Sequence, residues 1–370
     1  MAALTHRAAL APVAMASQTT AFPSWVHGGP DAQGAAAFDF STNANACGPC
    51  PQALAAVRRV DPARYPDPTY TALRAQLAQW HGVDADRIVV GTSASELIHR
   101  ITQLAARQGV GVAQVPRHGF GEYARAARLQ GLALADGDMP PHNGALLWAC
   151  APSSPLGQDA QGLCAGTAVP GTGWCIHDLA YAPFERPASP GAPFRWQGRP
   201  LAAPPGWWQL WSPNKALGLT GVRAAYLVAP AGAQAQAAQL DALAASWPVG
   251  AHGVALLQAW VQPEVQGWLC ASLPRLTRWA QALEAWCLRE GWALMPGGLA
   301  HYRVARPPVD DLGGLLACLR AQGVQLRDTA SFGLPGGVRW SAQPPQAQAA
   351  LARAWRAWPR RSALNLATSN

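Results

Sequence analysis

The sequence predicts an α/β protein whose mostly parallel sheet is covered by helices on both faces, with a smaller α+β unit toward its C-terminal end. Three observations carry this expectation. Short continuous apolar runs such as "RIVVG" (87–91), "ALLWACAP" (145–152) and "GWCIHDLAY" (173–181) lack the alternation of a half-exposed strand and read as strands buried on both faces. Segments of helical periodicity separate several of these runs, the order expected of a wound parallel sheet. Half of the 370 residues are hydrophobic and 13% are charged, enough apolar content for a sizeable core.

In chain order, "TYTALRAQLAQWHG" (69–82) has helical spacing, and the strand "RIVVG" follows it. "SASELIHRITQLAARQG" (93–109) is a helix that Ser93 or Ser95 can cap, with Glu96 in its first turn. "GVAQV" (111–115) is a strand and "GFGEYARAARLQG" (119–131) a helix. Four more buried strands follow at 145–152, 173–181, 207–212 ("WWQLWS") and 223–230 ("RAAYLVAP"). Pro/Gly-rich loops over 158–173 and 186–206 stand where crossover helices would be. After residue 230 a long helical stretch breaks at "SWPVGAHG" (246–253). The last hundred residues alternate helices with strands such as "LAHYRVA" (299–305) and "VRWSA" (338–342). The expected organisation is a leader over 1–24, an N-terminal arm over 25–50 associated with the small domain, a large domain over 51–249 and a small domain over 250–370.

Composition excludes several classes of function. The net charge of +8 comes from scattered arginines, with no cluster longer than Arg58-Arg59 or Arg360-Arg361 and no helix-turn-helix or zinc-finger spacing, so nucleic acid is not the expected partner. No run reaches the length that spans a bilayer, so no membrane association is expected. Of eight cysteines only Cys47 and Cys50 form a C-x-x-C, and no second pair completes a metal site. That pattern is the one expected of a reduced, cytoplasmic protein.

Ligands of open α/β sheets bind outside the carboxyl ends of the strands, so polar residues there carry the chemistry. The strand at 87–91 ends in Thr92-Ser93-Ala94-Ser95 at a helix start, where free amides and hydroxyls form an anion cradle. The strand at 173–178 ends in Asp178, with Tyr181 three residues on. The strand at 207–211 leads to Ser212, to Lys215, which is the only lysine in the chain, and then to Arg223. An anion cradle, a carboxylate and a lone amine are what pyridoxal phosphate requires of a protein: a phosphate grip, a partner for the pyridine nitrogen and a Schiff-base lysine. Arginine cannot replace that lysine, because a guanidinium does not deprotonate.

These segments resemble class I/II, fold-type-I aminotransferases. "SPNKALGLTGVR" (212–223) is similar to the family's Ser-x-x-Lys…Gly-x-x-Gly-x-Arg pattern, which makes Lys215 the Schiff-base lysine and gives Ser212 and Arg223 to the cofactor phosphate. "HDLAY" (177–181) implies Asp178 on the pyridine nitrogen and Tyr181 near the cofactor's O3′. "GTSASELI" (91–98) implies a phosphate loop with Ser93 and Ala94, and "HGFGEY" (118–123) implies Phe120 stacked on the pyridine ring. "RYPDPTY" (64–70) implies that Tyr65 reaches the phosphate in a neighbouring subunit, hence a homodimer with shared sites. "FSTNANACGP" (40–49) resembles the N-terminal Asn-x-Asn-Pro-x-Gly segment and places Asn45 near substrate. "GGVRWS" (336–341) implies Arg339 on the substrate α-carboxylate. The resemblance runs through residues 25–355 and implies a seven-stranded large-domain sheet.

Within the family the pattern resembles the branch of histidinol-phosphate aminotransferase and threonine-phosphate decarboxylase. "VHGG" (26–29), with His27, and "VQLRDTASFGLPGGVRWS" (324–341), with Arg327, favour the decarboxylase side and a phosphorylated amino-acid substrate, as in cobalamin biosynthesis. "CAPSSPLG" (150–157) departs from the family: Ser154 stands where an asparagine usually donates to O3′. Transamination and decarboxylation both stay open, as does a non-catalytic regulator built on the same fold.

Overall fold

A computed structural model describes residues 27–159, 174–189, 191–202 and 204–359. The leader, Cys164 and most of the loop over 158–173 lie outside the described residues. The large sheet has seven strands: β2 (Ile88–Gly91), β3 (Val112–Val115), β4 (Ala133–Asp136), β5 (Leu146–Cys150), β6 (Trp174–Asp178), β7 (Trp207–Trp211) and β8 (Ala225–Val228). Their order across the sheet is β2-β8-β7-β6-β5-β3-β4, and only β8 runs against its neighbours. β5, β6, β7 and β8 are buried along their whole length, as continuous apolar runs require. β4 is the strand the periodicity did not isolate. It sits at the sheet edge, and its first two residues are exposed.

Helices α1 (Pro51–Arg58), α2 (Thr71–His81) and α6 (Ala251–Trp260) cover one face, over an aromatic core that includes Trp211, Tyr226 and Trp260. Trp196, from the Pro/Gly-rich loop, is buried in that core and stacks on Trp260 at 5.5 Å, so this stretch does the covering work of a crossover helix. The opposite face carries α3 (Ala94–Arg107), α4 (Gly121–Leu129) and α5 (Gln234–Ala242), through residues such as Leu97, Ile101, Ala126 and Leu240.

The 27-residue helix α7 (Pro263–Arg289) belongs to two cores. Val265 to Ala280 pack with the large sheet's helices, whereas Leu283 and Cys287 pack with Trp340 and Trp355. Beyond it, β9 (Ala293–Leu294), β10 (Tyr302–Arg306), β12 (Arg327–Asp328) and β13 (Val338–Ser341) form an antiparallel sheet in the order β12-β13-β10-β9. Helices α8 (Leu312–Ala321) and α9 (Pro345–Ala357) pack with it. The N-terminal arm joins this part: β1 (Phe38–Asp39) pairs in parallel with β11 (Val324–Gln325). All seven described cysteines are free, and no helix among the described residues is long and apolar enough to cross a membrane.

Candidate active site

The site lies at the carboxyl ends of the large sheet's parallel strands, where β10, β12 and β13 approach them. β2 ends in Gly91, and a Cβ there would lie 2.5 Å from Glu96 Oε2 and Leu97 Cγ, so only glycine lets α3 start this close to the strand. Ser93 caps α3, its hydroxyl accepting from the Glu96 N–H at 3.1 Å. That cap leaves the Ala94 and Ser95 N–H groups beyond the helical hydrogen-bond ladder, as an anion site requires. Glu96 could repel an anion here. Its carboxylate is instead gripped by Arg100, with Nε–Oε1 at 2.7 Å and Nη2–Oε2 at 2.6 Å.

Lys215 follows β7 in a tight turn. Its carbonyl accepts from Asn45 N at 2.9 Å and Gly218 N at 3.2 Å, and the Leu217 carbonyl accepts from Cys50 N at 2.8 Å. Gly218 has φ +64°, and a Cβ on it would lie 2.6 Å from the Gly48 carbonyl oxygen. The arm therefore pins the lysine backbone. Nζ stands 5.4 Å from the Tyr181 ring centroid, and no carboxylate among the described residues is within ion-pair distance of it. Ser212 Oγ is buried without a hydrogen-bond partner among the described residues. Tyr181 is buried and meets Tyr302 edge-on at 5.0 Å.

Asp178 is 4% exposed. Tyr123 donates to its Oδ2 at 2.6 Å and the Ala180 N–H to its Oδ1 at 2.9 Å. Burial pushes its carboxyl above the usual range, against the downward pull of Tyr123, Ala180 and Lys215. Phe120, half-buried at the start of α4, meets Tyr123 edge-on at 5.8 Å. His27 is exposed, with its ring 6.3 Å from that of Phe120. Its pKa is lowered by burial first, then by Arg327, Lys215 and Arg125, with Glu122 opposing, so it stands within the field of the site's charges.

The antiparallel sheet supplies the cations. Arg327 and Arg339 are register partners on β12 and β13, 5% and 6% exposed. Arg339 donates from Nη1 to Ser154 Oγ at 3.1 Å and from Nη2 to the Ser41 carbonyl at 2.8 Å, while its Nε is buried with no partner among the described residues. Burial lowers its pKa, with Tyr181, Tyr302 and Asp39 opposing. Arg327 is pushed down to about 10 by burial and by Arg339. It donates to the Asp328 carbonyl at 2.9 Å and to Ser331 Oγ at 2.7 Å.

The structure thus gathers Lys215, Asp178, Tyr181, Phe120, Ser154, Arg327 and Arg339, with His27 at the rim. Asn45 lies in the arm against the lysine turn. Its amide bonds the Ala216 carbonyl at 3.1 Å and Ser272 Oγ at 2.8 Å, and its Oδ1 accepts from Cys47 N at 3.0 Å, so its side chain braces the lysine turn. Arg223 is exposed ahead of β8, with no ion pair among the described residues. Tyr65 is 79% exposed and stacks on Trp247 at 4.5 Å. Ser154 faces the arginine side, accepting from Arg339 and keeping its own O–H to donate. The sequence reading missed Tyr123, although "FGEY" places it in the first helical turn, three residues after Phe120.

A buried carboxylate held by neutral donors, an amine free of ion pairs, an orphaned serine hydroxyl and open helix-start amides fit pyridoxal phosphate, and they define a cofactor-dependent enzyme of amino-group chemistry. The particular family follows from comparison: the model of aminotransferase class I and II matches residues 36–354, and the chain belongs to that family of pyridoxal-phosphate enzymes. A histidinol-phosphate aminotransferase of Erythrobacter litoralis is 45% identical over 98 residues, 26% of each chain, so the chain spans about a quarter of the length of the curated relatives it matches there. Among solved structures, a histidinol-phosphate aminotransferase of Sinorhizobium meliloti in complex with pyridoxal-5'-phosphate is similar with a TM-score of 0.68 and 20% identity, covering 84% of this chain and 88% of that one. The L-threonine-O-3-phosphate decarboxylase of Porphyromonas gingivalis has a TM-score of 0.67 and 20% identity, covering 86% and 98%. At such identities the likeness shows the fold alone.

Proposed function

We propose that the protein acts at the α-carbon of a phosphorylated amino acid, in the manner of a threonine-phosphate decarboxylase of cobalamin biosynthesis. One observation carries the choice of a doubly anionic substrate: Arg327 and Arg339 face each other across a strand pair, both buried. Like charges opposite one another destabilise a sheet. An anionic ligand relieves that repulsion, with Arg339 on the carboxylate and Arg327 toward the phosphate. His27 stands close enough to contribute at the same end.

Ser212, the Ser93 cap and the Ala94 amide would hold the cofactor phosphate, with Arg223 as its cation. Asp178 would face the ring nitrogen, Tyr181 would lie near O3′ and Phe120 would cover the ring. Bound pyridoxal phosphate supplies the electron sink that stabilises charge developing at the substrate α-carbon. Lys215 moves the proton at that carbon, since its Nζ is the one amine of the chain. Arg339, held by Ser154 and the Ser41 carbonyl, would bind and orient the substrate carboxylate.

The alternative is transamination of histidinol phosphate or a related donor with 2-oxoglutarate, which the names of several relatives favour. We place the protein in the cytoplasm as a homodimer, with exposed Tyr65 and Trp247 meeting the neighbouring subunit. We divide the chain into an N-terminal arm over 25–50, a large domain over 51–249 and a small domain over 250–370, with α7 packing into the cores of both.

The test incubates the loaded enzyme with threonine phosphate alone, and with histidinol phosphate plus 2-oxoglutarate. Carbon dioxide from the first supports the decarboxylase. Glutamate from the second establishes the aminotransferase instead, and neither product removes both.

A further inference from the structure

We infer that Tyr123 is a positioning residue for the cofactor: one side chain fixes both Asp178, the partner of the ring nitrogen, and Phe120, the ring that covers the cofactor's face. The inference rests on the cofactor placement proposed above and assigns a role to a residue outside it.

The geometry comes from α4. Phe120 precedes the helix and Tyr123 lies in its first turn, so both project toward the sheet. The Tyr123 ring is 1% exposed and stacks on Trp148 of β5, with centroids 4.7 Å apart and planes 14° apart. Its edge meets Phe120 at 5.8 Å and 88°. Two aromatic neighbours thus leave the phenol one direction in which to point, and there it donates to Asp178 Oδ2 at 2.6 Å. A buried tyrosine hydroxyl needs a polar partner, and here the partner is the carboxylate the cofactor needs.

The hydrogen bond is also chemically apt. A phenol in this site stays protonated, because burial and the adjacent Asp178 raise its pKa well above the ordinary value. It therefore stabilises the carboxylate as a neutral dipole, adding no competing cation. Each oxygen of Asp178 has a second lone pair, so with Tyr123 on Oδ2 and Ala180 N–H on Oδ1 the carboxylate can still accept from the ring nitrogen. The side chains whose charge or hydrogen bond acts on Asp178 are Tyr123, Cys150, Lys215 and Tyr302. Of these the phenol alone among side chains makes a hydrogen bond to it, and burial pushes the carboxyl upward when that bond is lost.

Tyr123→Phe keeps the ring and removes only the hydroxyl. In wild type, added pyridoxal phosphate should give the absorbance band of lysine-bound cofactor; absence of that band would overturn the cofactor placement itself, and this inference with it. In Tyr123→Phe we expect about tenfold weaker cofactor affinity, about tenfold lower kcat and an amino-acid KM within about twofold of wild type. The pH titration of the band should also shift. A merely structural role would cost the same in any background. The decisive comparison is therefore Tyr123→Phe within Asp178→Asn, where the further loss of cofactor affinity should shrink below about twofold. Wild-type affinity in Tyr123→Phe, or an undiminished loss in the double variant, would overturn the inference.

Discussion

The two walls of the site handle charge in opposite ways. On the seven-stranded sheet the buried carboxylate of Asp178 is balanced by two neutral donors, Tyr123 and the Ala180 amide. On the antiparallel sheet two guanidinium groups, Arg327 and Arg339, stand opposite each other, and Arg339 keeps a buried N–H with no partner among the described residues. The first wall is complete apart from the cofactor and needs little reorganisation. The second sets two cations opposite each other, and an anion placed between them would lower their repulsion. A preorganised wall sets which chemistry is possible, and an electrostatically frustrated wall sets which substrate is admitted.

The largest effect should come from breaking the first wall at its nucleophile. Lys215→Ala removes the chain's only amine side chain. We expect loss of the lysine-bound cofactor band and a fall in turnover of about a hundredfold or more, the scale of a lost general acid–base group. The turn should survive, because it is built from the Lys215 carbonyl and its neighbours' amides. An unchanged band in a folded Lys215→Ala protein would remove the lysine from its role.

A smaller effect, and a different one, should follow on the second wall. Arg339→Lys keeps the charge but loses the planar fork that reaches Ser154, the Ser41 carbonyl and a ligand together. The expected result is an amino-acid KM raised by about tenfold to a hundredfold with the cofactor band unchanged. If the band moved and KM did not, the two walls would not be separable in the way the geometry implies.

Much of the first wall was legible in sequence because its residues sit at strand ends in fixed local contexts. Lys215 stood out by being unique, and Asp178 and Ser93 by following apolar runs. The second wall was legible only through resemblance, since Arg327 and Arg339 are twelve residues apart and meet through an antiparallel register that no local pattern encodes. The hydrogen bonds of Asn45 were hidden from sequence for a similar reason. Its partners Ala216 and Ser272 are distant in sequence, so its bracing role is purely tertiary. Tyr123 carried a usable signal, the three-residue spacing from Phe120, but only the fold shows that its hydroxyl meets Asp178.

The smallest predicted effect tests whether neutrality is maintained behind both walls. His177, adjacent to Asp178 on β6, has its pKa lowered by burial to about 4, and His301, buried next to Phe184 and influenced by Arg339, has its pKa lowered to about 3. His81, bonded to the Tyr226 hydroxyl, is likewise lowered to about 3. In the folded protein these imidazoles stay neutral where the unfolded chain, with pKa near 6.5, takes up protons. The unfolded state therefore binds more protons below that pH, and stability falls as pH drops from about 6.5 toward 4. At pH 5 each histidine should cost on the order of 1–2 kcal/mol, seen as a lower Tm than at pH 7. His301→Phe, which cannot protonate and fits an aromatic neighbourhood, should flatten part of that slope. It should do so without changing the cofactor band, because His301 lies on the arginine side. A Tm that is level between pH 7 and pH 5 would mean that these histidines find water or a proton in the folded state. A third cation would then stand beside Arg339, and the contrast between a balanced wall and an unbalanced one would sharpen.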